Sequence, residues 1–166
     1  MRARLIVSVL AGLFVVGGCA GTGTPAATVN GDDIDRSTVA DLIETVQSGD
    51  DPAFAAQFEP VPGVFPAEFA SQILTVLIQD QVLSQAVEEL DLEVTDEDIA
   101  DARAQGQSSG FDEIDELSSR VTANAIAVGD IAPFFAEAEV KVDPRYGVWD
   151  STRAQVVPPA FADQVG

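Results

Sequence analysis

The chain has 166 residues, 46% of them hydrophobic, and a formal net charge of −20 at pH 7 from 28 acidic and eight basic residues. Such an acidic surplus repels a phosphate backbone and an anionic bilayer, which excludes nucleic acid as a partner and disfavours membrane contact through the domain itself. With no His and one Cys, the chain lacks the residues for Ser-His-Asp catalysis, His-ligated metal sites and an intrachain disulfide, and we expect no cofactor.

Residues 1–18 have the layout of an export signal. Two arginines precede an apolar run from Leu5 to Val16, which is too short to span a bilayer. The run ends in VGGC, which closes on Cys19 and resembles a lipobox. That resemblance implies cleavage before Cys19, a diacylglyceryl group on its sulfur, and a lipid anchor at the outer face of the cytoplasmic membrane. An ordinary secretory signal with an incidental Cys is the alternative.

Residues 19–28 are small and polar and predict a flexible tether, after which we expect one domain over residues 29–150. Residues 26–31 read AATVNG and favour a short strand that ends in an Asn-Gly turn. Asp35 is placed to cap a first helix that runs to about Gln47.

The segment from Ser48 to Phe65 is rich in Gly and Pro and predicts a long loop. Its three aromatic residues are Phe54, Phe58 and Phe65. These rings either fill the core of the domain or form an apolar flap over a binding groove.

The longest helical pattern, Pro66 to Leu92, predicts a central helix against which the other elements pack. Its apolar residues form one stripe: Phe69, Ile73, Val76, Leu83, Val87 and Leu90. Asp80 interrupts the stripe near its middle. A carboxylate there is either a polar seam reached by a partner or water, or a functional group.

Residues 77–85, LIQDQVLSQ, and the following EVTDEDI at 93–99 resemble the signature of SurA-type chaperone domains, and PrsA foldases and trigger factor have similar helical regions. The entry AATVNGDDI at 26–34 also resembles the start of such domains. The resemblance implies a mainly α fold with one long central helix and a small two-stranded sheet that joins the start and end of the domain. In that family the helical domain binds unfolded exported chains, and prolyl isomerase activity belongs to separate parvulin domains.

Thr95 and Asp98 predict the capped start of a helix that runs to about Gln105. Asp112 is placed to cap the next helix, which Gly129 ends, and residues 131–137 predict a further short helix. The acidic clusters at these helix starts lack the spacing of a calcium loop and favour solvated helix termini over a metal site.

Residues 139–143 alternate like a strand, and their expected partner is the strand at 27–30. The next stretch, DPRYGVWD at 143–150, resembles a tail common in SurA-like lipoproteins of actinobacteria. It predicts a rigid turn, with Arg145 paired to Asp143 or Asp150, that either packs its rings on the domain or forms a recognition patch. Residues 151–166 are expected to form a poorly ordered tail.

We therefore expect an exported, lipid-anchored chaperone-like protein that binds unfolded or partly folded exported polypeptides. It is not expected to be an enzyme, because 24 residues after the last strand cannot hold a parvulin domain and there is no His. The alternative is an adaptor lipoprotein that binds one folded partner. The candidate client contacts are Phe54, Phe58, Phe65, Phe134 and Phe135.

Overall fold

The computed structural model describes residues 23–48 and 67–159. Within these ranges the helices are α1 (Arg36–Ser48), α2 (Ala67–Glu89), α3 (Asp96–Gln105), α4 (Asp112–Val128) and α5 (Ala132–Glu137). The strands there are β1 (Ala27–Val29), β2 (Asp32–Ile34), β3 (Val140–Val142), β4 (Val148–Asp150) and β5 (Gln155–Val157). The mainly α fold with small antiparallel sheets confirms the predicted fold class.

The 23-residue helix α2 is the centre of this fold. It packs against α1, α4, α5, β1 and β5, and Leu74 and Ile78 on it are fully buried. The predicted central helix is therefore confirmed, but it ends at Glu89 and leaves Leu90 46% exposed. Asp91 adopts a positive φ of 52°, and the N–H groups of Asp91 and Leu92 donate hydrogen bonds to the carbonyls of Glu88 and Val87. This Schellman-type ending stops the apolar stripe before Leu90.

A three-stranded sheet joins the start and end of the domain, with strand order β2-β1-β3. Val29 of β1 pairs with Val140 of β3, so the predicted pairing is confirmed. The sheet was predicted to have two strands, and β2 was missed. β2 pairs antiparallel with β1, and Asn30 and Gly31, both at positive φ, connect the two strands. An Asn-Gly turn of this type closes a hairpin. Ala26 is also fully buried, so the packed domain begins at residues that were predicted to belong to the tether.

The ends of α3 and α4 show where local capping signals succeed and fail. Thr95 and Asp98 form the predicted capping box, and Gly129 ends α4 at a φ of 78°. Asp112 was wrongly predicted as the N-cap of α4: Phe111 holds that position without a side-chain cap bond. Phe111 is buried, so packing of its ring has displaced the polar cap.

The segment after residue 150 is packed, not a free tail, as far as residue 159. β5 pairs antiparallel with β4, and Val156 belongs to the hydrophobic core at 5% exposed. Three polar side chains of α2, spaced four residues apart, bind the backbone between residues 146 and 156. Ser71 Oγ donates to the Tyr146 carbonyl at 2.5 Å, Thr75 Oγ1 accepts from the Val156 N–H at 2.8 Å, and Gln79 Nε2 donates to the Ala154 carbonyl at 2.8 Å.

Candidate functional site

Several residues that the sequence assigned to function lie outside the described ranges. These are Cys19, Phe54, Phe58 and Phe65. Lipidation of Cys19 and the role of the loop phenylalanines remain predictions.

The two described candidate client contacts, Phe134 and Phe135, sit on α5. Phe135 is 4% exposed and belongs to the core, with its ring centroid 6.3 Å from that of Trp149. Phe134 is half-buried and packs against the same core. Phe135 therefore cannot reach a client without unpacking the domain, which removes it from the candidate contacts.

Asp80 proves to be part of a polar seam between α2 and α4. Arg120 binds it through two hydrogen bonds, Nε to Oδ1 at 2.7 Å and Nη2 to Oδ2 at 2.8 Å. One turn further, Asn124 donates to Ser84 at 3.2 Å. The hydrogen bonds and charge of Asp80 raise the pKa of Arg120 against the opposing effect of burial. Arg120 was missed because it lies 40 residues from Asp80, and no local pattern links the two.

The two sequence motifs that resemble SurA-type domains meet in space. Asn30 of the VNG turn donates to Gln85 of α2 at 2.7 Å, and Gln85 donates to Asp32 at 2.9 Å. Asn30 Oδ1 also accepts from the Glu139 N–H at 2.8 Å. These motif residues join the central helix to the sheet, which is a structural role.

An apolar groove with acidic edges, of about 330 Å³, is lined by residues of α1, α2 and α4. Its leucines are buried or half-buried and its carboxylates are exposed. The one cation in its lining, Arg120, is already bound by Asp80. We define this acidic groove by Leu42, Leu77, Leu117, Asp41, Glu113 and Glu116.

A second groove of about 390 Å³ lies along α3 and α4. Ile126 stands in it 69% exposed, and Val94 contributes a half-buried side chain. Glu93, Asp98 and Asp101 supply the charge of its lining. Both grooves therefore combine apolar surface with negative charge, which suits apolar segments that carry basic residues.

Four described carboxyl groups, those of Asp98, Asp115, Glu139 and Asp143, have a pKa below its ordinary value. The hydroxyl and backbone N–H of Thr95 lower the pKa of Asp98. The backbone N–H of Arg145 lowers the pKa of Asp143, assisted by Arg36 and opposed by burial. A general acid at neutral pH needs the opposite shift. Within residues 23–48 and 67–159, no three His, Cys, Asp or Glu side chains could hold a metal ion.

The segment 143–150 packs its rings on the domain. Tyr146 and Trp149 are half-buried against the core, and Arg145 pairs with Asp143 at 3.4 Å. The other predicted acceptor, Asp150, instead faces Arg153 at 3.8 Å. The aromatic rings therefore have a structural role.

The fold defines a helical scaffold with two grooves that have acidic residues in their lining. The family profile described as the SurA-like N-terminal domain matches residues 3–126. The chain belongs to this family, as the sequence motifs predicted. No curated protein and no solved structure matches the chain. No helix of the described residues is long and apolar enough to cross a bilayer.

Proposed function

We propose that this protein is a lipid-anchored, chaperone-like module that binds unfolded or partly folded exported polypeptides outside the cytoplasmic membrane. It binds them without prolyl isomerase activity, in keeping with a sequence that contains no His. The observation that carries the proposal is membership of the SurA-like N-terminal domain family. This family relationship supports a chaperone role.

The acidic groove is the proposed client site. An apolar client side chain would cover Leu42 and Leu77, which are only half-buried, and basic residues beside it would approach Asp41, Glu113 and Glu116. Charges at a solvent-exposed rim contribute modestly to affinity and strongly to the rate and choice of encounter. Weak binding with tolerance of client sequence follows from this arrangement, while the net charge of −20 keeps copies of the protein apart.

The chain from Cys19 to Gly166 should delay the aggregation of a chemically unfolded exported protein. Replacing Asp41, Glu113 and Glu116 by Lys should raise the concentration needed for half-suppression about tenfold, because repulsion replaces attraction at the rim. Light scattering during dilution from denaturant measures both effects.

The matched control carries Lys in place of Glu88, Glu89 and Glu137. Its net charge therefore equals that of the variant with Lys at Asp41, Glu113 and Glu116. Glu88, Glu89 and Glu137 are exposed and lie in the last turn of a helix, where a cation is favourable. This control should suppress aggregation like the parent. A parent that does not suppress aggregation refutes the chaperone proposal and favours the adaptor. Equal suppression by the parent and both variants would place the client site elsewhere.

The proposed anchor is the lipid on Cys19, supported by the VGGC ending of the apolar run. In cells, Cys19→Ala should move the protein from the membrane fraction to the soluble fraction, since the acyl chains supply the membrane affinity. Thr22→Ala, outside the lipobox, is the control and should stay with the membrane. Anchoring through Cys19 is wrong if Cys19→Ala remains membrane-bound and is processed like the parent.

A further inference from the structure

An apolar surface lies at the end of the domain where the N-terminal tether enters. It forms a groove of about 350 Å³ along the β4–β5 hairpin. Val148 is 72% exposed and Val157 is 40% exposed. We define this valine–proline patch by Pro144, Val148, Trp149, Val157, Pro158 and Pro159.

The patch adjoins the start of the packed chain. The Ala26 carbonyl accepts a hydrogen bond from the Asp143 N–H at 2.9 Å, and Asp143 directly precedes Pro144 of the patch. Ala26 follows Cys19 by seven residues, which reach at most about 25 Å when fully extended. A lipid on Cys19 thus holds this end of the domain close to the bilayer.

The distribution of charge favours the same orientation. Residues 139–159 carry three acidic and three basic side chains, whereas the rest of the chain after Cys19 carries 25 acidic and three basic ones. The three cations of this segment are exposed, Lys141 by 74%, Arg145 by 59% and Arg153 by 70%, and each is paired with one of the three acids, so the segment as a whole is neutral. The excess negative charge therefore lies outside this segment. Charges farther from the surface than about 8 Å are largely screened at physiological salt.

We propose that the valine–proline patch lies against the phospholipid surface and holds the anchored domain with its acidic grooves facing away from the membrane. This inference rests on the proposed lipid anchor. One lipid group gives only reversible attachment, and a second contact of apolar and basic residues strengthens it. The lipid supplies the local concentration that the small patch needs.

Trp149 is the only Trp of the chain and lines the patch, so its fluorescence reports the contact directly. The chain from Cys19 to Gly166 is coupled through the Cys19 thiol to a maleimide phospholipid in phosphatidylcholine–phosphatidylglycerol vesicles. Trp149 emission should shift to shorter wavelength and be quenched when the vesicles contain brominated acyl chains. Because the coupling is chemical and no client is added, the result does not depend on lipidation in the cell or on chaperone activity.

Val148→Asp should abolish the quenching, because a carboxylate in the centre of the patch opposes entry into the interface. Ile126→Asp is the matched control: Ile126 is 69% exposed but lines the groove of α3 and α4, and its replacement should leave the quenching intact. Circular dichroism checks that both variants are folded. If Val148→Asp unfolds, Arg145→Gln with Arg153→Gln replaces it and should reduce the quenching.

Two results overturn the proposal. One is unquenched Trp149 in the tethered parent, and the other is quenching that persists in the folded patch variants. A dimer of the untethered chain that Val148→Asp dissociates, seen by sedimentation together with unquenched Trp149, would assign the patch to a second copy.

Discussion

Leu83→Ala should lower the free energy of unfolding by about 2–5 kcal/mol, a large part of the 5–15 kcal/mol typical of a domain. Leu83 is 1% exposed in the centre of the fold. It lies on α2, which packs against helices on several sides and against strands of both sheets. The loss combines the transfer of the removed methyl groups with the cavity left behind. Denaturant unfolding followed by circular dichroism measures it.

Leu90→Ala is the matched control, since it makes the same chemical change just beyond the end of the same helix. Leu90 is 46% exposed, so its replacement should cost less than about 1 kcal/mol. A loss below about 1 kcal/mol for Leu83→Ala as well would contradict the packing of α2 and leave its apolar stripe available for binding.

Gly147→Ala should destabilise the domain by about 2–4 kcal/mol and displace the β4–β5 hairpin. Gly147 has a φ of 126°, and an added Cβ would lie 2.0 Å from the carbonyl oxygen of Val157. The strand β5 must then move, which breaks its pairing with β4, the bond that Val156 N–H donates to Thr75 and the bond that Gln79 donates to the Ala154 carbonyl. Unfolding by denaturant measures the loss, and Trp149 emission should move to longer wavelength as the ring becomes exposed.

Gly106→Ala is the control that shows whether the loss of stability is specific to Gly147 or follows from replacing any glycine. Gly106 has a φ of −76°, and the nearest atom to an added Cβ is 3.4 Å away. Its replacement should change stability by less than about 1 kcal/mol. Equal stabilities for the two variants would contradict the close approach of β4 and β5 at Gly147.

The sequence by itself determined the elements whose signals are local. The apolar spacing that starts at Phe69 predicted α2, Thr95 and Asp98 predicted the start of α3, and Gly129 predicted the end of α4. Each signal lies within or next to the element that it predicts, where side-chain periodicity and capping decide the structure. Alternating residues near each end of the domain also predicted the pairing of β1 with β3.

The tertiary structure alone decided which polar groups meet. Asp80 needed a partner, but only the packing of α2 on α4 shows that the partner is Arg120. Ser71, Thr75 and Gln79 form hydrogen bonds with backbone groups 75 to 81 residues away, and backbone groups carry no sequence signal. Residues 151–159 were assigned to a tail for this reason.

Burial and the placement of charge also needed the fold. Phe134 and Phe135 were both candidate client contacts, but Phe135 is buried in the core and Phe134 is partly buried against it. A net charge of −20 argued against contact between the domain itself and an anionic membrane, because a net charge does not show where on the surface the charges lie. Folding brings Ala26, at the end of the tether, beside Asp143, in the segment 139–159, which carries equal numbers of acidic and basic residues. Electrostatic repulsion depends on distance as well as charge, so the arrangement in space decides what that end of the domain can contact.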